Sequence, residues 1–138
     1  MPALARILPA LALTAALLSG CARDEMVNET MDEVTALTAE VTTLVKEGED
    51  KKAAIAEAKA LIESRQGELR PKLEKISQLR GFQVSQETVD KFRAQLTASM
   101  LDMTTLQLEL VMETAQDPEL AKQLEELLAA HDALLDLQ

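Results

Sequence analysis

The chain has 138 residues and carries 24 Asp and Glu against 14 Lys and Arg, a net charge of −10. A charge of that sign argues against nucleic acid as a ligand and against docking on anionic lipid headgroups. There is no Trp or Tyr and there are only two Phe, so stacking platforms for bases or sugars are essentially missing. The single Cys excludes an internal disulfide.

Residues 1–20 read as a signal peptide. Arg6 supplies a positive n-region, Ile7 to Leu18 form a short apolar run, and small residues lead to Cys21. The run is too short, and too soon followed by charge, to span a bilayer. The closing pattern Leu18-Ser19-Gly20-Cys21 resembles the lipobox of bacterial lipoproteins. That resemblance covers only the first 21 residues. It implies diacylation of the Cys21 thiol, cleavage before Cys21 and acylation of the new amine. One acyl chain gives marginal, reversible membrane binding, whereas two give stable anchoring. Ala22, where an Asp would signal retention, implies the outer membrane of a Gram-negative envelope, on its periplasmic face; in a Gram-positive cell the same anchor implies the outer face of the cell membrane. Cleavage removes one base, Arg6, and no acid, which takes the net charge from −10 to −11.

From Asp24 on, the chain reads as helix. Its low β-branched content outside residues 34–45 and its scarcity of Gly and Pro both favour that state. The first helix is expected from about Asp24 to Glu47, with Val27, Thr30, Val34, Leu37, Val41 and Leu44 at 3-4 spacing and Gly48 as its stop. Residues 21–23 then form a linker reaching only about 10 Å, so the domain at 24–138, and with it any partner, is expected close against the membrane.

A second helix is expected from about Asp50 to Arg80, carrying Ile55, Ile62, Leu69 and Ile76 at seven-residue intervals. Gly67 and Pro71 interrupt it, but the heptad phase survives them, which favours one kinked helix over two short ones. From Asp24 to Asp50 there are nine acids and one base; from Lys51 to Arg80 there are eight bases and four acids. That complementarity suggests that the two helices pair as an antiparallel hairpin.

Gly81 and Ser85 mark the next turn, with Ser85 as N-cap and Val84 and Val89 as a hydrophobic staple. The third helix is expected to run to about Ala115. Val89, Leu96, Met103 and Leu110 occupy one heptad position, and Met100, Leu101, Leu108, Val111 and Met112 widen the apolar surface beyond a seam. This helix is either the most buried or one with a face left for a partner. Asp117-Pro118-Glu119 opens the last helix, with Asp as N-cap and Pro at the first position. Its stripe is Leu120, Leu124, Leu127, Leu128, Leu134 and Leu135, and it is expected to end by Leu137. The fold class expected is all-α: an antiparallel up-down helical bundle of three long helices and one shorter C-terminal helix, after a cleaved signal peptide.

No catalytic constellation is evident. One His excludes the HExxH zinc motif and the paired ExxH of di-iron bundles, and there is no Gly-rich phosphate loop. His131 falls on the seam of the last helix, and Met26 and Met31 lie near the start of the first. Such a pair resembles the axial haem ligands of small periplasmic b-type cytochromes, so a haem b electron carrier is one alternative; a His hydrogen-bonded to a neighbouring helix is the simpler expectation. The leading expectation is a non-enzymatic, lipid-anchored interaction or structural module that holds an envelope protein partner, with Met100, Leu101, Leu108 and Met112 as the contact candidates. A more specific variant is a pilotin-like escort that grips a helix of an outer-membrane secretion subunit.

Overall fold

The structure, a computed structural model, describes the backbone of residues 8–80 and 83–136, with side chains from residue 22 onward in those ranges. It is all-helical, and no strand occurs among the described residues. Five helices follow in order: α1 (Leu8–Glu47), α2 (Lys51–Ser77), α3 (Gln86–Glu109), α4 (Val111–Gln116) and α5 (Pro118–Leu135).

α1 begins upstream of the start expected near Asp24. Its backbone runs as one helix through residues 8–47, including the stretch read as a linker. The side chains of Leu18-Ser19-Gly20-Cys21, expected as a lipobox, and residues 1–7 of the expected signal peptide lie outside the described residues. No helix among the described residues is long and apolar enough to cross a membrane.

The helix ends obey local chemistry. Asp50 caps α2 by accepting from the Ala53 N–H, and Ser85 caps α3 by accepting from Thr88 N–H. Asp117 caps α5 through the N–H groups of Glu119 and Leu120, with Pro118 in the first turn. Each cap satisfies backbone donors that the first helical turn leaves without a partner. At the other end of α1 the Lys51 ammonium donates to the carbonyls of Val45 and Lys46, at 2.8 and 2.9 Å, where a cation also meets the negative end of the helix dipole. Gly48 is required there by close approach: a Cβ at this position would collide with Ala54 Cβ.

Pro71 sits inside α2, which continues through it to Ser77 as a single helix. The carbonyl that loses its donor belongs to residue 67, four positions back. That residue is Gly67, and both Gly67 and Pro71 are exposed, so water can take the freed acceptor.

The pairing of helices follows from cross-contacts. Lys72 reaches Glu33 at 2.9 Å, and a three-residue turn joins α1 to α2, so these two run antiparallel. Asp24 accepts from the Ser85 N–H, Asp32 accepts from Gln95, and Lys46 meets Glu109; both residue numbers rise together, so α1 and α3 run parallel. Lys52 pairs with Asp117 and Glu119, and Lys59 with Glu126, so α2 and α5 are also parallel neighbours. α3 and α5 touch only slightly, while α1 and α5, like α2 and α3, have no close backbone approach. Around the section the order is therefore α3, α1, α2, α5. Sequential helices are not always neighbours: the segment between Ser77 and Gln86 carries the chain across to the far side of α1. Beside that crossing Val27, Ile76, Leu79, Val84, Val89 and Phe92 line an open cavity of about 400 Å³, so the expected staple pair lies against a space it does not fill.

The charge separation read along the chain is thus realised differently from the simple hairpin. Among the described residues Lys72 is the base of α2 that pairs with an acid of α1, whereas Lys52 and Lys59 turn to α5. All of these pairs are solvent-exposed and select partners more than they stabilise them.

The core is apolar and continuous. Val27, Met31, Val34, Val41 and Val45 from α1 meet Ile55, Ala58, Ile62, Leu69 and Leu73 from α2, with Leu106 and Leu127 wholly buried between. Leu44, expected in the seam, is only partly buried, and Val45 takes the inner place. α1 has two full-length neighbours and must bury a wider face than a two-helix seam requires. It does so with Thr30 and Thr38 inside as well, each hydroxyl donating to the carbonyl four residues back, Met26 and Val34.

Candidate interaction surface and the buried histidine

α3 is not the most buried helix. Only Thr88, Ser99, Met103 and Leu106 along it are buried, with Leu110 following. It is the helix with a face left over. Met100 is 51% exposed, Leu101 61%, Val111 53%, Leu108 66% and Met112 68%. The expected third helix ends early: Leu110 adopts φ −93° and ψ 3°, which separates α3 from α4. Leu110 itself points into the core, and the short α4 carries Val111 and Met112 on outward.

At about 100° per residue, Thr97, Met100, Leu101, Thr104, Leu108, Val111 and Met112 fall within an arc of roughly 120° that contains no charged side chain. Asp102, Glu109 and Glu113 project together along one edge of this arc, between it and the buried row of Ser99, Met103, Leu106 and Leu110. The segment from Thr97 to Gln116 holds no base. Lys46 of α1 meets Glu109 at 3.2 Å, while neither Asp102 nor Glu113 makes an ion pair among the described residues. Exposed Leu and Met gathered on one face, bordered by acids, form a surface of the kind that marks a protein or membrane interaction site.

This surface lies toward the C-terminal end of α1. Because Glu109 is level with Lys46 and Gln95 with Asp32, the stripe from Met100 to Met112 is level with the last three turns of α1. At 1.5 Å per residue that is about 25–40 Å from Cys21 along α1.

His131 is 1% exposed on α5. Its Nε2 lies 3.0 Å from Thr38 Oγ1, across the diagonal between α5 and α1. The Thr38 hydroxyl lies 3.0 Å from both Val34 O and His131 Nε2; when it donates to Val34 O, its oxygen accepts from a ring that carries its proton on Nε2. Nδ1 is then a buried acceptor with no partner. Burial holds the ring below its ordinary pKa, with Asp132 opposing. Ser99 Oγ is likewise buried without a partner, and the α1–α3 register puts Ser99 within about a turn of Thr38. Thr38 and His131 are thus in contact inside the core, with Ser99 buried at a similar level on α3.

Met31 is fully buried in that core, seven residues before Thr38, and Met26 packs against it partly exposed. Along α1 these lie about 10 and 18 Å from Thr38, the residue that His131 meets. The structure brings His131 to Thr38 and brings neither Met to His131. Among the described residues no group of three or more His, Cys, Asp and Glu is placed to hold a metal ion.

The sequence pattern pointed to Met100, Leu101, Leu108 and Met112 but not to Thr38 as the partner of His131. The signal available was a run of Thr at 30, 35, 38 and 42 on a seam of valines, which shows polar atoms near the core without showing what they meet. No protein-family model, no curated protein and no solved structure matches this chain.

Proposed function

We propose that this protein is a lipid-anchored, non-enzymatic interaction module of the bacterial envelope: a helical bundle tethered through Cys21 that presents the stripe on α3 and α4 to a protein partner. The observation that carries this reading is the set of five large apolar side chains on one face, each more than half exposed. Isolated exposed Leu or Met needs no explanation, but a continuous uncharged arc does. The lipobox supports the anchor, and Ala22 after it supports the periplasmic face of the outer membrane. In this reading the bundle acts as a spacer. Its base is at the bilayer and its contact face roughly 25–40 Å away, so it would hold a partner away from the lipid. The surface is a face and not a groove, which favours side-by-side helix docking over the enclosing grip of a pilotin-like escort.

Photo-crosslinking in intact cells tests this. A photoreactive residue at Leu108 is expected to give a reproducible adduct with another protein, and the same residue at the exposed Glu57 on α2 is expected to give none. Metabolic labelling with palmitate is expected to mark the wild type and to fail for Cys21→Ser. Absence of a specific adduct from Leu108 removes the docking reading, and labelling that survives Cys21→Ser removes the anchor.

A further inference from the structure

Resting on the docking face just proposed, we infer that its occupant is an amphipathic helix whose apolar face is bordered by Lys and Arg along one edge. The shape of the stripe calls for a helix. Met100, Leu101, Leu108, Val111 and Met112 lie along about 18 Å of helix, a length that a little over three turns of a second helix cover with anchors at i, i+4, i+7 and i+11. An extended strand has no free sheet edge to join, since no strand occurs among the described residues.

The charge distribution calls for Lys and Arg along one edge. Asp102, Glu109 and Glu113 stand on one border of the stripe, and no base lies between Thr97 and Gln116. Glu109 is shared with Lys46, but Asp102 and Glu113 have no cationic partner among the described residues. A helix laid on the stripe puts one of its own edges against those carboxylates, and cationic side chains there complete the pairs. The opposite edge meets uncharged side chains such as Gln107 and Thr114 and needs no charge. The same carboxylates disfavour an antiparallel second copy of this chain. Two stripes meeting about a two-fold axis near Leu106 would place Asp102 of one copy against the 109–110 turn of the other, so that the acidic borders face each other. Each chain also brings the repulsion of a strongly negative molecule.

Two synthetic amphipathic peptides of about 18 residues, long enough to cover the stripe, test the inference by fluorescence anisotropy against the purified protein. They share one Leu/Met face and differ only in carrying Lys or Glu along one edge. The Lys-edged peptide is expected to bind at least about tenfold tighter, with affinity that falls as salt rises. Leu108→Gln with Met112→Gln is expected to abolish binding, and Asp102→Asn with Glu113→Gln to remove the preference while leaving apolar binding. All four positions are exposed, and circular dichroism and thermal melting check that these variants fold as the parent does. Equal or tighter binding of the Glu-edged peptide overturns the charge inference and leaves the docking face standing. No binding by either peptide overturns both. Sedimentation showing dimers that Leu108→Gln dissolves overturns the inference in favour of a second copy.

Discussion

Thr38 on α1 and His131 on α5 meet across the diagonal of the section, Oγ1 to Nε2, at 3.0 Å. Their helices have no close backbone approach, so this side-chain bond is a direct tie between opposite corners. Thr38→Val leaves the His131 donor buried and unpaired, with an expected loss of about 1–3 kcal/mol. His131→Leu leaves the Thr38 hydroxyl its bond to Val34 O and is expected to cost less. The double variant is expected to recover much of the Thr38→Val loss, because both polar groups leave together. Urea unfolding of the four proteins measures the cycle, and strict additivity would show that the bond carries no coupling.

The same histidine makes stability depend on pH. Burial lowers its pKa from the ordinary value of 6.5, against the opposing charge of Asp132. The unfolded chain therefore binds a proton before the folded one does, and stability rises with pH wherever that holds. The contribution is complete above about pH 6.5 and is lost as pH falls from there through the folded value. His131→Leu is expected to flatten the stability profile in that window, with the imidazole carbon-bound proton shifts of the wild type reporting the lowered midpoint. A second decline is expected in more acidic solution. The Ser85 N–H holds Asp24 below the ordinary carboxylate value, the Gln95 amide does so for Asp32, and the ammonium groups of Lys52 and Lys59 do so for Asp117 and Glu126. These contributions are present above about pH 4 and vanish as the four groups protonate. His131→Leu is expected to leave that limb in place.

Two glycines in helical surroundings should respond oppositely to Ala. Gly67 has open space where a Cβ would project, and its φ is not positive. Gly67→Ala is expected to stabilise by about 0.5–1 kcal/mol through lower chain entropy and better helix propensity. Gly48→Ala drives a methyl into Ala54 and close to Leu44 O, with an expected loss of about 1–3 kcal/mol from overpacking. Thermal melts of the two variants read this directly, and a shift of the same sign in both contradicts the turn geometry.

Neighbouring leucines on α3 should separate core from contact face. Leu106 is fully buried and Leu108 is 66% exposed. Leu106→Ala is expected to cost about 2–5 kcal/mol, and Leu108→Ala to stay within roughly 0.5 kcal/mol while weakening partner binding. A large stability loss at Leu108 would mean that the stripe is core and not a docking surface.

What the sequence determined by itself is local and periodic. Asp50, Ser85, Asp117 and Pro118 announce helix starts because a cap needs only a side-chain oxygen two or three residues before a free N–H. Ile55, Ile62, Leu69 and Ile76 announce the inner face of α2 because helical geometry repeats on one molecule without reference to any neighbour. All four are buried, and Pro71 left their phase intact. The division at Leu110 escaped the pattern, since a bend that keeps Leu106 and Leu110 both inside does not disturb the apolar spacing.

Tertiary structure alone decided which helix each face meets. An apolar stripe states that a face is covered and not by what, so α2 reads equally well against α1, α3 or α5. The segment from Ser77 to Gln86 is long enough to cross the section, and it makes α3 the parallel neighbour of α1. The bases Lys52 and Lys59 accordingly find acids on α5 and not on the acid-rich α1. The choice between the two apolar faces of α3 was made the same way. The face with Met103, Leu106 and Leu110 turns inward, and the other, with Met100, Leu101, Leu108 and Met112, remains outside because one helix cannot bury both sides against a single close neighbour.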